Sequence, residues 1–341
     1  MKLKRTLLAG VLACALLASA GCSTGTSTDS ADSGNAASGT LTVYTSQPEE
    51  DIQKFVEAFN EEYPDVTVDV FRSGTEEVIS KVLAEKQANA LQADVLLVSD
   101  APTFESLKEQ DLLASYESPE LEGIDSQYYD EEHTYCGTKV ISTGIMYNTD
   151  MVQTAPTSLK DLTSEAAKDN VSMPSPLYSG AAAYNLSLLT RTDGFGWEYY
   201  QALKDNGVKV GQGNGTVQKA VTGGEAGYGL IADYLAIRAK ADGAPVDFVY
   251  PEEGSPAVTE PVGIVNGTDN ETAAQAFVDF ILSDRGQEVT AEIGYTPIKS
   301  GVAAPEGFRT VDEIQTITYD TKTLADNREA DKQQFSQIFG E

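Results

Sequence analysis

The stretch LTVYTSQPEEDIQKFVEAFNEEYPDVTVDVFRSGTEEVISKVLAEKQANALQADVLLVSD, Leu41 to Asp100, decides the fold class. Leu41-Thr42-Val43-Tyr44 is strand-like, and Ile52, Phe55, Val56 and Phe59 then stand at i, i+3, i+4 and i+7, the apolar stripe of an amphipathic helix. Pro64-Asp65 punctuates, and Val66 to Phe71 reads as the next strand. Ser73-Gly74-Thr75-Glu76 reads as a capping box opening a helix that carries Val78, Ile79, Val82 and Leu83. Asp94 to Val98 is an apolar strand of the kind buried on both faces. The order βαβαβ implies a parallel sheet with helices on both sides and a ligand crevice beyond the carboxyl ends of the strands. Those ends carry Ser46-Gln47, Ser73-Gly74-Thr75 and Ser99-Asp100, each at a helix start. Any one alone is an ordinary cap; three in register on one sheet edge speak for ligand contact and for capping equally.

Upstream, Met1-Lys2-Leu3-Lys4-Arg5, an apolar run from Leu7 to Ala20 and Gly21-Cys22-Ser23 describe an export signal over residues 1–21. The cysteine after Ser19-Ala20-Gly21 looks like the lipobox of bacterial lipoproteins, so Cys22 is the expected lipidation site, with plain secretion as the alternative. Residues 22–39 then form a flexible tether, since Ser, Thr, Gly, Asp, Ala and Asn offer no large apolar side chain to offset the entropy of ordering. With Cys14 in the signal and Cys22 acylated, only Cys136 remains; no intrachain disulfide is expected, and a small buried apolar role is the expectation for this thiol. The 341 residues suffice for two domains of ordinary size. A formal charge of −30, from 53 acidic against 23 basic side chains, argues against a nucleic-acid binder, which must neutralise phosphates.

A second unit runs from about Gly144 to Val258. It has a strand at Ile145-Met146-Tyr147-Asn148, a capped short helix over Pro156 to Leu162 and a strand at Val171-Ser172-Met173. That strand delivers Ser179-Gly180-Ala181-Ala182 to a helix start. Gly229 to Ala232 reads as a buried strand ending at Asp233-Tyr234, ahead of a helix over Leu235 to Ala241. After Val262-Gly263-Ile264-Val265 comes a helix from Glu271 to Ser283, and residues 310–341 form a polar, helical tail.

The lipobox and tether, Leu41 to Tyr44, Gly144-Ile145-Met146-Tyr147-Asn148-Thr149, Tyr250-Pro251-Glu252-Glu253-Gly254-Ser255-Pro256 and Ala274 through Gly286-Gln287 follow one another in a familiar order. Together they resemble the solute-binding lipoproteins of bacterial ABC importers with the type II periplasmic-binding-protein fold, in the branch that binds ferric iron, phosphonates and sugar phosphates. The resemblance implies an α/β fold of two lobes, each a mixed, mostly parallel sheet flanked by helices, joined by crossover hinge strands and closing on a solute. Mapped here, lobe 1 spans 40–141 plus 262–305 and lobe 2 spans 142–261 plus 306–341. It further implies a permease partner, a monomer, and a place on the extracellular face of the cell membrane or in the periplasm.

Ferric relatives use a histidine, a glutamate and two adjacent tyrosines; the corresponding positions are Pro48, Ser99 and Tyr234-Leu235, so one ligand of four survives and no metal or cofactor is expected. Iron stays open only as a chelate. The sole histidine, His133, lies among acids and is expected on the solvated surface. The Ser-Gly-Ala loop that holds the accompanying oxyanion in those relatives is intact as Ser179-Gly180-Ala181. The expected ligand is therefore a phosphonate or a sugar phosphate, held by neutral donors from Ser46, Gln47, Ser73, Gly74, Thr75, Ser99, Thr143 and Ser179 to Ala182. Asp233, Tyr234 and Glu225 would meet an ammonium or hydroxyls at its other end, and Arg72 could add a charge. An enzyme lacks its parts: one histidine, no Gly-x-Ser-x-Gly, no Ser-x-x-Lys and no His-Glu-x-x-His. A carboxylate-based hydrolase and a non-transport surface lipoprotein are the competing classes.

Overall fold

The computed structural model describes residues 37–340. The expected signal peptide, Cys22 and the tether through residue 36 lie outside them. Order begins as the hydrophobic pattern dictates: β1 (Gly39–Thr45), α1 (Glu49–Glu62), β2 (Val66–Arg72), α2 (Thr75–Gln87), β3 (Val95–Leu97) and α3 (Ala101–Lys108). β1 runs parallel to both β2 and β3, and the Ile52, Phe55 and Phe59 stripe of α1 is buried against this sheet. β4 (Cys136–Gly137) is followed by β5 (Ile141–Asn148), which already belongs to a second sheet.

That second sheet is built from β6 (Val171–Pro174), α4 (Gly180–Leu189), α5 (Gly196–Asp205), β7 (Lys209–Gly211), α6 (Asn214–Thr222), β8 (Tyr228–Ala232), α7 (Asp233–Ala241), β9 (Val246–Val249) and β10 (Ser255–Val258). The chain returns with β11 (Pro261–Ile264), which lies antiparallel to β3 and β4, and adds α8 (Glu271–Leu282) and α9 (Asp284–Ile293). It closes with β12 (Thr316–Ile317), parallel to β10, and α10 (Thr321–Phe339). The result is two mixed sheets flanked by helices, ordered β2-β1-β3-β11-β4 and β12-β10-β5-β8-β6-β7 with β9 beside β5. Each sheet has its own apolar cluster: Phe55, Phe59, Phe277 and Phe280 in the first, and Leu159, Leu186, Leu189, Tyr200 and Phe335 in the second. This is the two-lobe α/β architecture.

The two crossings between sheets lie side by side. The Thr138 and Lys139 amides both donate to the Thr259 carbonyl, at 2.9 and 3.3 Å, and the Thr138 hydroxyl donates to the Glu260 carbonyl at 2.8 Å. Lys139 is fully buried, with Nζ 2.5 Å from Glu260 Oε2 and 4.8 Å from the centroid of the Tyr295 ring. Gly137 is required here, because a Cβ would stand 2.6 Å from that of Thr259.

Three local expectations change. The capping box at Ser73 does not form: Gly74 is the N-cap of α2 with no side-chain cap, the Ser73 hydroxyl bonds Glu77, and Glu76 is drawn instead into an ion pair with Arg328. The short helix after Pro156 is a 3-10 turn, Leu159–Thr163, closed by a Ser158/Asp161 capping box. His133 is half-buried rather than solvated, stacked on Tyr129 with ring centroids 5.7 Å apart. Cys136 is a buried free thiol whose pKa burial pushes up to about 12, which makes it a poor nucleophile. Among the described residues no helix is long and apolar enough to cross a membrane.

Candidate functional site

The carboxyl ends of β1, β2 and β3 face those of β6, β7 and β8 across a cleft of about 350 Å³. Ser46, Gly74, Thr75 and Ser99 line it from the first sheet; Ser179, Gly180, Ala181 and Tyr234 line it from the second. Eight of the expected donors are thus brought to one place by the common direction of the strands that precede them. α2, α4 and α6 all begin at this cleft, which places the positive ends of three helix dipoles at its wall.

The halves touch at two glycines. A Cβ on Gly74 would stand 2.7 Å from the Tyr178 ring, and one on Gly180 would stand 2.7 Å from Thr75 Oγ1 and 2.9 Å from Ser99 Cβ. The Glu76 amide donates to the Tyr178 carbonyl at 3.4 Å across the same seam. Gly180→Ala is accordingly expected to weaken solute binding about 5- to 150-fold, the equivalent of about 1–3 kcal/mol of overpacking. Calorimetric titration showing unaltered affinity would mean that the loops do not need this approach.

Five expected residues are absent from the wall. Gln47 is buried behind it, donating from Nε2 to Glu260 Oε2 at 3.3 Å and accepting from Arg72 Nε on its carbonyl at 2.8 Å, so it braces two wall residues. Ser73 is turned to Glu77. Thr143 is buried on β5, where its hydroxyl accepts from Asn185 Nδ2 at 2.9 Å. Ala182 faces inward in the first turn of α4, its amide donating to Ser179 Oγ at 3.3 Å. Asp233 is 1% exposed; its carboxylate accepts from the Tyr234 amide at 2.8 Å and the Tyr250 hydroxyl at 3.3 Å. Glu225 also lies off the wall, whereas Arg72 is on it.

Burial raises Asp233 from 3.8 to about 7, against the hydrogen bonds that favour its charge. The folded chain then binds more protons than the unfolded one between about pH 4 and pH 7, so the stabilisation tied to this group is complete below about pH 4 and is lost as pH rises through about 7. Relative to Asp233→Asn, the wild-type protein should lose up to about 1.4 kcal/mol per pH unit across this window, as measured by urea unfolding. Parallel pH profiles for the two proteins would contradict it.

The wall also holds residues that sequence reading missed. Gln212-Gly213-Asn214-Gly215-Thr216, running from the end of β7 into the first turn of α6, is a glycine-rich strand-to-helix passage, a signal of the same kind as Ser179 to Ala182. Lys219 follows one turn into α6, and Tyr178 and Glu260 also line the cleft. Glu260 carries no local signal: its backbone has φ +40°, and it reaches the cleft only because the second crossing passes beneath it.

Arg72 and Lys219 are both exposed to the cleft, and neither is in an ion pair among the described residues. In an acid-rich chain most other cations are paired, so two unpaired ones beside three helix N-termini give this cleft a local positive potential. For metal the chemistry is poor. Pro48, Ser99, Tyr234 and Leu235 do line the cleft, yet the described residues contain no group of three or more His, Cys, Asp or Glu that could hold an ion. Burial, with Glu260 nearby, raises the Tyr234 hydroxyl well above its ordinary pKa and opposes the tyrosinate form.

Two lobes with facing strand ends, joined by paired crossings beside a polar cleft, define a protein built to hold a small molecule. The chain belongs to the bacterial extracellular solute-binding protein family, whose model matches residues 54–316. It is 26% identical over 263 residues to the Fe(3+)-binding periplasmic protein of Serratia marcescens, covering 73% of this chain and 75% of that one. Among solved structures it resembles the periplasmic binding protein AfuA from Actinobacillus pleuropneumoniae with bound fructose-6-phosphate, at TM-score 0.82 and 23% identity over 88% of this chain and 98% of that one. It also resembles iron-bound HitA from Pseudomonas aeruginosa, at TM-score 0.77 and 21% identity over 87% and 99%. The two structures share the fold while binding different solutes.

Proposed function

We propose that this chain is the solute-binding component of an ABC importer and that its cleft captures a small phosphate-bearing solute, a sugar phosphate or a phosphonate such as 2-aminoethylphosphonate. The observation that carries the reading is the pair Arg72 and Lys219, cations without carboxylate partners among the described residues, on the wall of the cleft at which α2, α4 and α6 begin. Glu260 and the Tyr234 hydroxyl, on the same wall, suit hydroxyls or an ammonium at the other end of the solute. The neutral amide and hydroxyl donors expected from the sequence are thus joined by fixed positive charge.

In this reading lobe 1 (residues 40–141 and 262–305) and lobe 2 (142–261 and 306–341) close on the solute and present the closed form to a membrane permease, which releases it chemically unchanged. Cys22 carries the lipid that holds the monomer at the extracellular face of the membrane. A second reading, ferric iron as a chelate, is favoured by the iron bound by the Serratia and Pseudomonas relatives. Thermal unfolding with fructose 6-phosphate, 2-aminoethylphosphonate, citrate, polyamines and ferric salts separates the two. A phosphate-bearing solute should raise the midpoint by mass action, by about 2.7 kcal/mol of stabilisation at one hundred times its Kd. A midpoint raised by ferric salts alone, with a tyrosinate-to-iron colour, would replace the phosphate reading by the iron one.

A further inference from the structure

Two arginines on the half built around the second sheet reach across to the half built around the first. Arg328 sits on α10, which is fastened to the second half: Phe335 is fully buried in that half's apolar cluster, and Asp331 accepts from the Ser187 hydroxyl on α4 at 2.7 Å and from Nη1 of Arg191, just past the end of α4, at 2.6 Å. From the same face of α10, Arg328 donates to Asp100 Oδ2 at 2.9 Å and to Glu76 Oε1 at 2.8 Å, and Lys332 stands 2.5 Å from Glu76 Oε2. Asp100 is fully buried and Arg328 is 7% exposed. Arg238, on α7, donates to Asp51 at 2.9 and 3.1 Å and to the Gly294 carbonyl at 3.3 Å, while the Tyr295 hydroxyl donates to the same Asp51 at 2.6 Å. Its guanidinium lies 4.7 Å from the Tyr234 ring centroid and 4.5 Å from that of Tyr295.

The acceptors are placed with consequence. Glu76 directly follows Thr75, Asp100 directly follows Ser99, and Asp51 lies in the first turn of α1 just after Ser46 and Pro48. Each grip is therefore made beside a residue of the cleft wall, and each is a buried or half-buried charge-assisted contact between a residue of one half and a carboxylate of the other.

We propose that Arg328 and Arg238 are positioning residues forming a two-point latch, which holds the halves closed and sets how long the solute stays without touching it. The latch does not depend on which solute fills the cleft: it favours the closed form even in its absence, and a bound solute adds to it. Opening must break both grips at once, so their loss acts on release more than on capture.

The test is small-angle scattering of the purified protein without solute, for the wild type, Arg328→Gln, Arg238→Gln and both together. Latching predicts a larger radius of gyration in each variant, largest in the double, with partial return in Arg328→Lys. If fructose 6-phosphate or 2-aminoethylphosphonate binds, its dissociation rate should rise about 10- to 150-fold per latch removed, the loss of one charged hydrogen bond of about 1.5–3 kcal/mol, with association changed far less. Neither solute binding would defeat the phosphate reading and leave the scattering result standing. Unchanged scattering with only a lower melting temperature would show the arginines to be structural and overturn the latch. Should Arg328→Gln fail to fold, the charge-free pair Arg238→Gln/Asp51→Asn carries the same comparison.

Discussion

Replacing Arg72 and Lys219 together by glutamine should abolish high-affinity capture of a phosphate-bearing solute, weakening it by about 100- to 10,000-fold. The size follows from two charge-assisted hydrogen bonds of about 1.5–3 kcal/mol each, lost where the halves exclude water. Folding should be almost unaffected, because neither cation has a carboxylate partner among the described residues to leave stranded. Arg72→Gln alone also removes the Nε contact to the Gln47 carbonyl, so it should cost more than Lys219→Gln. Titration calorimetry with fructose 6-phosphate and 2-aminoethylphosphonate at low and high salt measures both effects, the wild type losing affinity with salt faster than the variants. Equal affinity in wild type and double variant would remove the phosphate from this end of the cleft.

The largest expected loss of stability is at the crossing between the halves. Lys139→Met should destabilise the protein by about 3–5 kcal/mol, because it leaves the Glu260 carboxylate, 5% exposed, without its buried partner. The side chain is almost isosteric and still fills the space against Phe55 and Tyr295, so packing is not what is lost. Lys139→Met/Glu260→Gln should recover most of the stability, since a neutral amide can be shielded from water at far smaller cost. Chemical denaturation of the three proteins checks this. A single variant as unstable as the double one would show that charge pairing at the crossing is not the source. Solute affinity should fall in the double variant even where stability returns, because Glu260 also lines the cleft.

The first lobe was legible because its chemistry is local. Alternation, the stripe from Ile52 to Phe59 and the small residues after each strand all follow from neighbours in the chain, and β1 to β3 formed where the pattern placed them. Ser46, Thr75, Ser99 and Ser179 could be named as candidates for the same reason: a strand end hands its next residues to the sheet edge whatever the rest of the molecule does. Gln47, Thr143, Ala182 and Asp233 show the limit of that rule. Each is one or two positions from a wall residue, and which neighbour faces the cleft depends on how the helix or strand is rotated by its packing. Ser73 failed for another cause, since an ion pair from a helix more than two hundred residues later competed for Glu76 and left Ser73 to Glu77.

Read alone, the residue order settled the α/β class and most of the helix starts that open on the cleft, because these depend on periodicity and on which side chains can end a strand; the two-lobe arrangement was what the family resemblance implied. Only the folded molecule decided that Arg72 and Lys219 stand unpaired beside those helix starts, that Glu260 meets Lys139 at the crossing, and that Arg238 and Arg328 span the halves. Those are meetings between charges far apart in the chain, and no local pattern encodes them: a lysine on a helix face is written the same way whether a carboxylate, water or a solute waits opposite it.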